Sequence, residues 1–190
     1  MRARLLQAAV QLLASDGVAE FTTRKLARQA QTSAPAVYEL FGDKAGVVRE
    51  VFFEGFRALR QRLAAIQPSA DPRADLVGVI AVFRVFVREN PVLAELMFSR
   101  PFADFDPGPA EREAGDEVRE LIVTSVLRCV EAGVLAGDAT DIAHVLLAMA
   151  QGLARQETAG WLGSSQASMD RRWDLAVMAA LDGLRPRPAQ

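Results

Sequence analysis

Several kinds of residue are scarce in this chain of 190 residues, and each scarcity narrows the class of protein. The only cysteine, Cys129, excludes a disulfide within the chain and gives no sign of a cysteine-based metal site. The only histidine, His144, has no second histidine or paired carboxylate at metal-ligand spacing, so we expect neither a metal nor another cofactor. No stretch reaches the roughly 18 uninterrupted apolar residues that a membrane-spanning helix needs. These absences predict a protein of the reducing cytoplasm that is not inserted in a membrane.

The first residues resemble the charged opening of a secretory signal, but polar residues interrupt the apolar run that would follow. Arg2 and Arg4 supply the charge, and Gln7, Gln11 and Ser15 interrupt the run. We therefore expect a helix there and no export. The composition, 51% hydrophobic and 24% charged, is typical of a folded globular chain.

Apolar residues recur at every third and fourth position along most of the chain, which predicts an all-α fold. Residues 77–87 are rich in β-branched side chains, yet the length and flanks of that segment favour a central, buried helix. Caps, glycines and prolines mark the ends of the segments. The expected helices cover about residues 2–15, 22–31, 34–41, 44–66, 72–90, 91–99, 110–132, 141–159 and 169–184.

The first three of these segments are short, and a tight turn joins the second to the third, which is a helix-turn-helix arrangement. The net charge of −2 does not suggest a generally basic nucleic-acid binder. However, residues 1–50 carry seven basic and five acidic side chains, a balance of +2, so the remainder carries −4. A mildly basic head on an acidic body is consistent with phosphate contacts at one end.

The local sequence of this head strongly resembles the DNA-binding domain of the TetR family, over about residues 3–55. The resemblance is carried by residues 22–30 (TTRKLARQA), by 33–41 (SAPAVYELF), by Lys44 and by Leu5, Ala8, Ala9, Leu12, Leu13 and Gly17 of the first helix. One departure lies in the turn, where the family commonly has glycine and an aliphatic residue and this chain has Gln31 and Thr32. A left-handed conformation at Gln31 would cost about 1 kcal/mol.

The resemblance implies a DNA-binding domain over residues 1–46 and a ligand-binding and dimerisation domain over residues 47–190. It also implies a homodimer whose two heads enter successive major grooves of a palindromic operator, about 34–36 Å apart. We expect a ligand-responsive repressor that leaves the operator when a small, mostly apolar molecule binds. The fourth helix would transmit this change from the ligand-binding domain to the head. Activation and corepression remain alternatives.

Nine residues are candidates for contact with double-stranded DNA. Arg24 suits a bidentate contact with guanine, Ala34 and Ala36 suit thymine methyl groups, and the hydroxyl and amino groups suit phosphates. The alternative interpretation is ordinary helix caps and solvated charges. The candidates are Thr22, Thr23, Arg24, Ser33, Ala34, Pro35, Ala36, Tyr38 and Lys44.

A second set of residues is expected to line an apolar pocket, since aromatic and methionine side chains beside a loop suit an adaptable cavity. Core packing explains the same pattern. The candidates are Phe83, Phe86, Met97, Phe98, Phe102, Phe105, His144, Met149, Leu153 and Trp161.

The last two helices are rich in small residues, which allow close helix approach. In the family the final helix pair forms a four-helix interface with its twin; packing within one chain is the alternative. The interface candidates are Leu147, Ala150, Gln151, Ala154, Trp173, Ala176, Val177 and Ala180.

Two other functional classes compete with the regulator. One is a helical interaction module without DNA binding, for which the acidic net charge is an argument. The other is a small helical enzyme acting on an apolar substrate, which would need His144 or a carboxylate pair in the pocket. The sequence contains no glycine-rich phosphate loop and no nucleophile elbow, so we expect no catalytic residues.

Overall fold

The computed structural model describes residues 1–99 and 108–187. This part of the chain contains nine α-helices and no strand, so the expected all-α fold is confirmed. The helices are α1 Arg2–Glu20, α2 Thr23–Gln29, α3 Ala34–Phe41, α4 Lys44–Ala64, α5 Pro72–Glu89, α6 Pro91–Phe98, α7 Pro109–Glu131, α8 Ala139–Thr158 and α9 Gln166–Gly183. The β-branched segment 77–87 is helical, as expected, within α5.

The chain divides into two compact units. The first comprises Met1–Ala58 and Asn90–Ala114, and the second comprises Leu59–Glu89 and Gly115–Gln190. Helix α4 begins in the first unit and ends in the second, as does α7. The functional boundary expected at residue 46 is a different division from this one and stays a prediction.

The head of the first unit is built from α1, α2 and α3, which share one core. Leu5 and Ala9 of α1, Leu26 of α2 and Val37 of α3 are fully buried, and so is Phe21, which lies between α1 and α2 in sequence. Gly17, expected to stop α1, breaks its helical geometry with a φ of 73°, after which the helix resumes to Glu20. Only glycine adopts this conformation without strain.

Side-chain caps fix where α2 and α3 begin. The Thr22 hydroxyl accepts a hydrogen bond from the Lys25 amide at 3.2 Å, and the Ser33 hydroxyl accepts one from the Ala36 amide at 3.3 Å. Such caps each stabilise a helix start by about 1 kcal/mol. In helices as short as these, such a cap fixes the residue at which the helix begins.

The turn between α2 and α3 has the strain that the sequence suggests. Gln31 has a φ of 50°, and it is the one residue other than glycine with positive φ in the part of the chain that the structure describes. The Thr32 amide donates to the Ala27 carbonyl at 2.9 Å, which closes the end of α2. The turn thus reaches the left-handed conformation despite the missing glycine.

We expect Gln31→Gly to stabilise the protein by up to about 1 kcal/mol, because glycine adopts the left-handed conformation without the cost that Gln31 bears. In a chain of this size that corresponds to a rise in Tm of about 2–4 °C. Thermal unfolding followed by circular dichroism measures it, with Gln29→Gly, at the last residue of α2, as the control that should lower Tm. A fall in Tm for Gln31→Gly would contradict the strain.

Helix α6 completes the first unit by packing closely on its neighbours. It contacts α1, and its Met97 lies so near Gly55 of α4 that a Cβ there would stand 2.5 Å from the Met97 sulfur. The rings of Phe56 and Phe98 are 6.1 Å apart in an edge-to-face arrangement. A larger residue at position 55 would therefore force the Met97 side chain to move.

The second unit is organised around α5, whose buried face packs on α8, which in turn packs on α9. A buried polar cluster joins the three helices: both Arg84 Nε and Nη2 donate to the Glu157 carboxylate at 2.8 Å. Trp173 Nε1 donates to the same carboxylate at 2.6 Å. Each of the three residues comes from a different helix, so the cluster fixes the relative positions of α5, α8 and α9.

A second polar cluster ties the start of α5 to the end of α7. The Asp75 carboxylate accepts hydrogen bonds from the Ser69 hydroxyl at 2.7 Å and from Arg128 at 2.6 Å. The Ser69 hydroxyl bond, the Arg128 bond and the Ser69 amide bond lower the pKa of Asp75 to about 2. Asp75 therefore stays ionised through the physiological range.

Candidate nucleic-acid interface

The surface formed by α2, α3 and the start of α4 carries the nine DNA-binding candidates. Thr22, Arg24, Ser33, Pro35 and Tyr38 are exposed or partly exposed, Tyr38 at 50%. Ala34, Ala36 and Lys44 are also accessible to solvent. Because Val37 and Phe41 anchor the opposite side of α3 in the core, the helix presents its first turn and Tyr38 to solvent.

Thr23 is the exception among these nine residues. Its side chain is buried, with the residue only 6% exposed, and its hydroxyl lies 3.1 Å from the Tyr38 hydroxyl. The two hydroxyls form a hydrogen bond that bridges α2 and α3. This contact does not follow from sequence, since fifteen residues separate the partners.

The basic side chains of the head differ in whether a protein group already holds them. Lys44 Nζ donates to the Ala19 carbonyl at 3.2 Å, and Lys25 Nζ pairs with Asp16 at 2.8 Å. The hydrogen bond from Lys25, with one from Ser15, lowers the pKa of Asp16. No hydrogen bond or ion pair involves the side chains of Arg24 and Arg28 within residues 1–99 and 108–187. These two guanidinium groups are thus available to phosphates or bases.

Arg28 is a residue that the sequence reasoning did not select. It is exposed and lies four residues after Arg24 on the seven-residue helix α2. Residues at this spacing share a helix face. The four-residue spacing of Arg24 and Arg28 would have identified Arg28 from the sequence.

The pocket candidates are distributed over both units. Met97 and Phe98 belong to the first unit, and the other described candidates belong to the second. Phe83, Phe86 and Met97 are buried, whereas Phe98, Met149 and Leu153 are accessible to solvent. Phe102 and Phe105 lie outside the described residues.

Two further pocket candidates are at the surface of the second unit. Trp161 is 80% exposed, and His144 is exposed with its Nδ1 2.8 Å from the Thr140 carbonyl of the same helix. Among the residues that the structure describes, no three His, Cys, Asp or Glu side chains are grouped as a metal site would require. In a single chain, neither Trp161 nor His144 lines an enclosed space.

The dimer candidates separate into two groups of four. Ala150, Ala154, Trp173 and Val177 are buried within the chain, and Leu147, Gln151, Ala176 and Ala180 are partly exposed. The exposed apolar surface of α8 and α9 instead comprises Val145, Ala148, Gly152, Leu175, Met178 and Ala179. The small-residue pattern identified the helices, but the rotation of each helix determined which side chains remain outside.

A capped, exposed helix that packs on a second short helix carrying free arginines is the geometry of a helix-turn-helix DNA-binding protein. Two family models match the chain. The model described as "Bacterial regulatory proteins, tetR family" matches residues 5–51, and "Tetracyclin repressor-like, C-terminal domain" matches residues 76–180, more than half of the chain. The chain therefore belongs to the TetR family of transcriptional regulators.

Solved structures have the same fold over nearly the whole chain. A protein of unknown function from Rhodococcus sp. RHA1 is 28% identical, with a TM-score of 0.84 over 97% of this chain and 95% of that one. The TetR family regulator PfmR from Thermus thermophilus is 21% identical, with a TM-score of 0.75 over 96% of this chain and 100% of that one. FadR from Bacillus subtilis, solved with stearoyl-CoA, is 14% identical, with a TM-score of 0.82 over 97% and 100%. No curated protein matches the chain.

Family membership decides between the functional classes left open by the sequence. The protein is a ligand-responsive transcriptional regulator that binds operator DNA and a small-molecule effector and acts as a homodimer. It is a regulator and not an enzyme. None of the described helices has the length and apolar character to cross a membrane.

Proposed function

We propose that the protein is a cytoplasmic repressor whose paired α3 helices enter successive major grooves of a palindromic operator. The observation that carries this proposal is the first turn of α3, which Ser33 caps and which faces solvent, while the adjoining helix α2 carries the free guanidinium of Arg24. A helix presented in this way fits the major groove, where its first residues reach base edges and phosphates. The DNA-binding domain would then be residues 1–46, with residues 47–190 for effector binding and dimerisation.

The contacts divide into positioning and base recognition. Lys44, Ser33 and Tyr38 suit phosphates, since each carries a hydrogen-bond donor. Ser33 caps α3, Tyr38 lies within it and Lys44 begins the next helix, α4. Arg24 suits a guanine edge or a phosphate, and Ala34 and Ala36 suit thymine methyl groups. Because few of these groups form hydrogen bonds with bases, Arg24 would carry much of the sequence preference.

The protein would leave the operator if an effector bound more tightly to a dimer whose two heads have a different separation. Helix α4 runs without a break from Lys44 beside the head to Ala64 in the second unit, so a tilt of this helix would move the head. Such coupling typically amounts to about 1–3 kcal/mol.

Stearoyl-CoA is present in the structure of FadR from Bacillus subtilis. Together with the apolar pocket candidates, this makes long acyl chains the first effectors to test.

The exposed apolar surface of α8 and α9 is the best candidate for the contact between protomers. Leu175 is 70% exposed and Val145 59%, and Ala148, Gly152 and Ala179 would let a partner helix approach closely. Large apolar side chains exposed on two helices that pack on each other are typical of an interaction site. Two copies of this helix pair would form a four-helix contact.

We expect Leu175→Asp to weaken dimerisation at least about 100-fold, because a carboxylate would be buried without a partner at the contact. Sedimentation equilibrium over a range of protein concentrations measures the dissociation constant. Leu127→Asp, on α7 and 43% exposed, is the matched control and should leave the dimer intact. Equal effects of both changes would exclude the α8 and α9 surface.

Gel-shift titration with a duplex that carries the promoter of the protein's own gene tests DNA binding. Lys44→Ala should weaken binding to all duplexes and reduce the slope of log K against log salt by about 1, since one phosphate contact is lost. Arg24→Ala should also change the preference between this duplex and a random one. Binding that depends on neither Lys44 nor salt would contradict the phosphate role.

A further inference from the structure

The hydroxyl pair formed by Thr23 and Tyr38 has a role that neither residue has alone. Tyr38 is the only tyrosine of the chain, and it is half exposed on the DNA-facing side of α3. Thr23 is buried beneath it at the start of α2. Their hydroxyl oxygens are 3.1 Å apart, which is within hydrogen-bond distance.

The chemistry of a phosphate determines which of the two hydroxyl groups, that of Thr23 or that of Tyr38, must be the donor in the DNA complex. A phosphate oxygen only accepts, so Tyr38 must use its single hydroxyl hydrogen to bind it. The Tyr38 oxygen can then act only as an acceptor toward Thr23. Thr23 must therefore donate, and Tyr38 is its only side-chain hydrogen-bond partner among the described residues.

Within the described part of the head, the Thr23 side chain has no hydrogen bond other than the one with Tyr38. The cap of α2 is formed by Thr22 and not by Thr23. Nothing in this arrangement draws the hydroxyl away from Tyr38.

We propose that Thr23 is a positioning residue that acts through Tyr38: it donates to the tyrosine hydroxyl, which in turn donates to a DNA phosphate. This inference rests on the proposed DNA binding, and it gives Thr23 a role other than direct contact with phosphate. A chain of two such bonds polarises the terminal hydroxyl and strengthens the outer bond. It also holds the Tyr38 hydroxyl in place before DNA arrives, which reduces the ordering cost of binding.

The binding test compares Thr23→Val, Thr23→Ser, Tyr38→Phe and the combination of Thr23→Val with Tyr38→Phe, on the promoter duplex of the protein's own gene. Thr23→Val should weaken binding about 3- to 10-fold, as expected for one neutral hydrogen bond, and Tyr38→Phe about 10- to 100-fold, because its hydroxyl donates to a charged phosphate. The combination should bind as Tyr38→Phe alone does, because the threonine acts only through the tyrosine. Thr23→Ser keeps the donor and should bind as the unaltered protein does.

Two results would overturn the proposal. If the two single effects multiply in the combined variant, to about 30- to 1000-fold, Thr23 acts independently of Tyr38. If Thr23→Ser binds as weakly as Thr23→Val, the hydroxyl is not the active group.

The slope of log K against log salt should be the same for all variants, since neither hydroxyl displaces a counterion. A smaller slope in a variant would indicate a damaged head and would count against the proposal.

Urea unfolding of the same variants without DNA separates this inference from the proposed function. The hydrogen bond exists in the free protein, so the cycle of Thr23→Val and Tyr38→Phe should show about 2- to 10-fold coupling in the folding constant. No coupling would overturn the proposal whatever the DNA result. Coupling in urea together with no preference of the unaltered protein for the promoter duplex would instead refute the proposed function and, with it, the transfer to phosphate.

Discussion

Ala36→Glu should lower the affinity for the promoter duplex at least about 100-fold while leaving the protein folded. Ala36 lies in the first turn of α3, accessible to solvent, on the surface proposed to enter the major groove. A carboxylate there would face the phosphates of both strands, and like charges brought together at an interface cost several kcal/mol. A loss of about 2.7 kcal/mol is a factor of about 100.

The same substitution should not weaken the helix that carries it. Ser33 already caps α3 by accepting from the Ala36 amide, and glutamate at this position would complete a capping box with it. An acidic group in the first turn also interacts favourably with the helix dipole. We therefore expect a Tm equal to or slightly above that of the unaltered protein, which separates loss of DNA binding from loss of structure.

Ala36→Gln is the matched control, because glutamine has nearly the same size and can form the same capping box without the charge. Fluorescence anisotropy with labelled promoter duplex, at two salt concentrations, measures both affinities. Glutamine should cost less than about tenfold. Similar losses for glutamate and glutamine would show that size and not charge matters; unchanged affinity for Ala36→Glu would exclude α3 from the interface.

Arg84→Met should destabilise the protein by about 3 kcal/mol, because it leaves the buried Glu157 carboxylate without its main partner. The Glu157 side chain is 6% exposed, and Arg84 donates to both of its oxygens. Burial alone would raise the pKa of Glu157, but the hydrogen bonds from Arg84 and Trp173 outweigh it and lower the pKa. Removing one partner of a buried pair typically costs about 3–5 kcal/mol.

We set the expected cost at the lower end of that range because part of the cluster survives the change. Trp173 Nε1 still donates to Glu157, and Arg88 Nε lies 3.8 Å from the carboxylate. For a chain of this length, about 3 kcal/mol lowers Tm by roughly 6–12 °C. Tm should be measured at one fixed protein concentration, since dimerisation also stabilises the fold.

Two controls identify the uncompensated charge as the cause. Adding Glu157→Gln to Arg84→Met should recover more than half of the lost stability, because no buried charge then remains. Arg57→Met removes an exposed ion pair with Glu54 on α4 and should cost less than about 1 kcal/mol. If Arg84→Met costs no more than Arg57→Met, the cluster does not stabilise the second unit.

The pH dependence gives a further check on the same variant. Because the folded-state pKa of Glu157 is lowered, the stability from its ionised form is present above the ordinary glutamate pKa and is lost as the pH falls below it. The difference in stability between Arg84→Met and the unaltered protein should therefore shrink below about pH 4. A constant difference down to about pH 3 would contradict the role of the carboxylate.

Local physical chemistry determined most of the fold and the class of site. The period of the apolar residues fixes helices, and residues such as Ser33, Gly17 and Pro91 fix where they begin or break, so the helices could be predicted from sequence. The same applies to the strained turn, since Gln31 stands where a left-handed residue is needed. The helix-turn-helix could be recognised because its residues are close in sequence.

Tertiary structure decided what depends on partners distant in sequence. Four of the residues expected at the dimer contact are core residues of the single chain, because a shift of one position along a helix turns the side chain by about 100° and so separates inner from outer residues. The bond between Thr23 and Tyr38 and the cluster of Arg84, Glu157 and Trp173 arise only when separate helices pack. Periodicity shows that a helix has an apolar side, but only packing determines which atoms meet there.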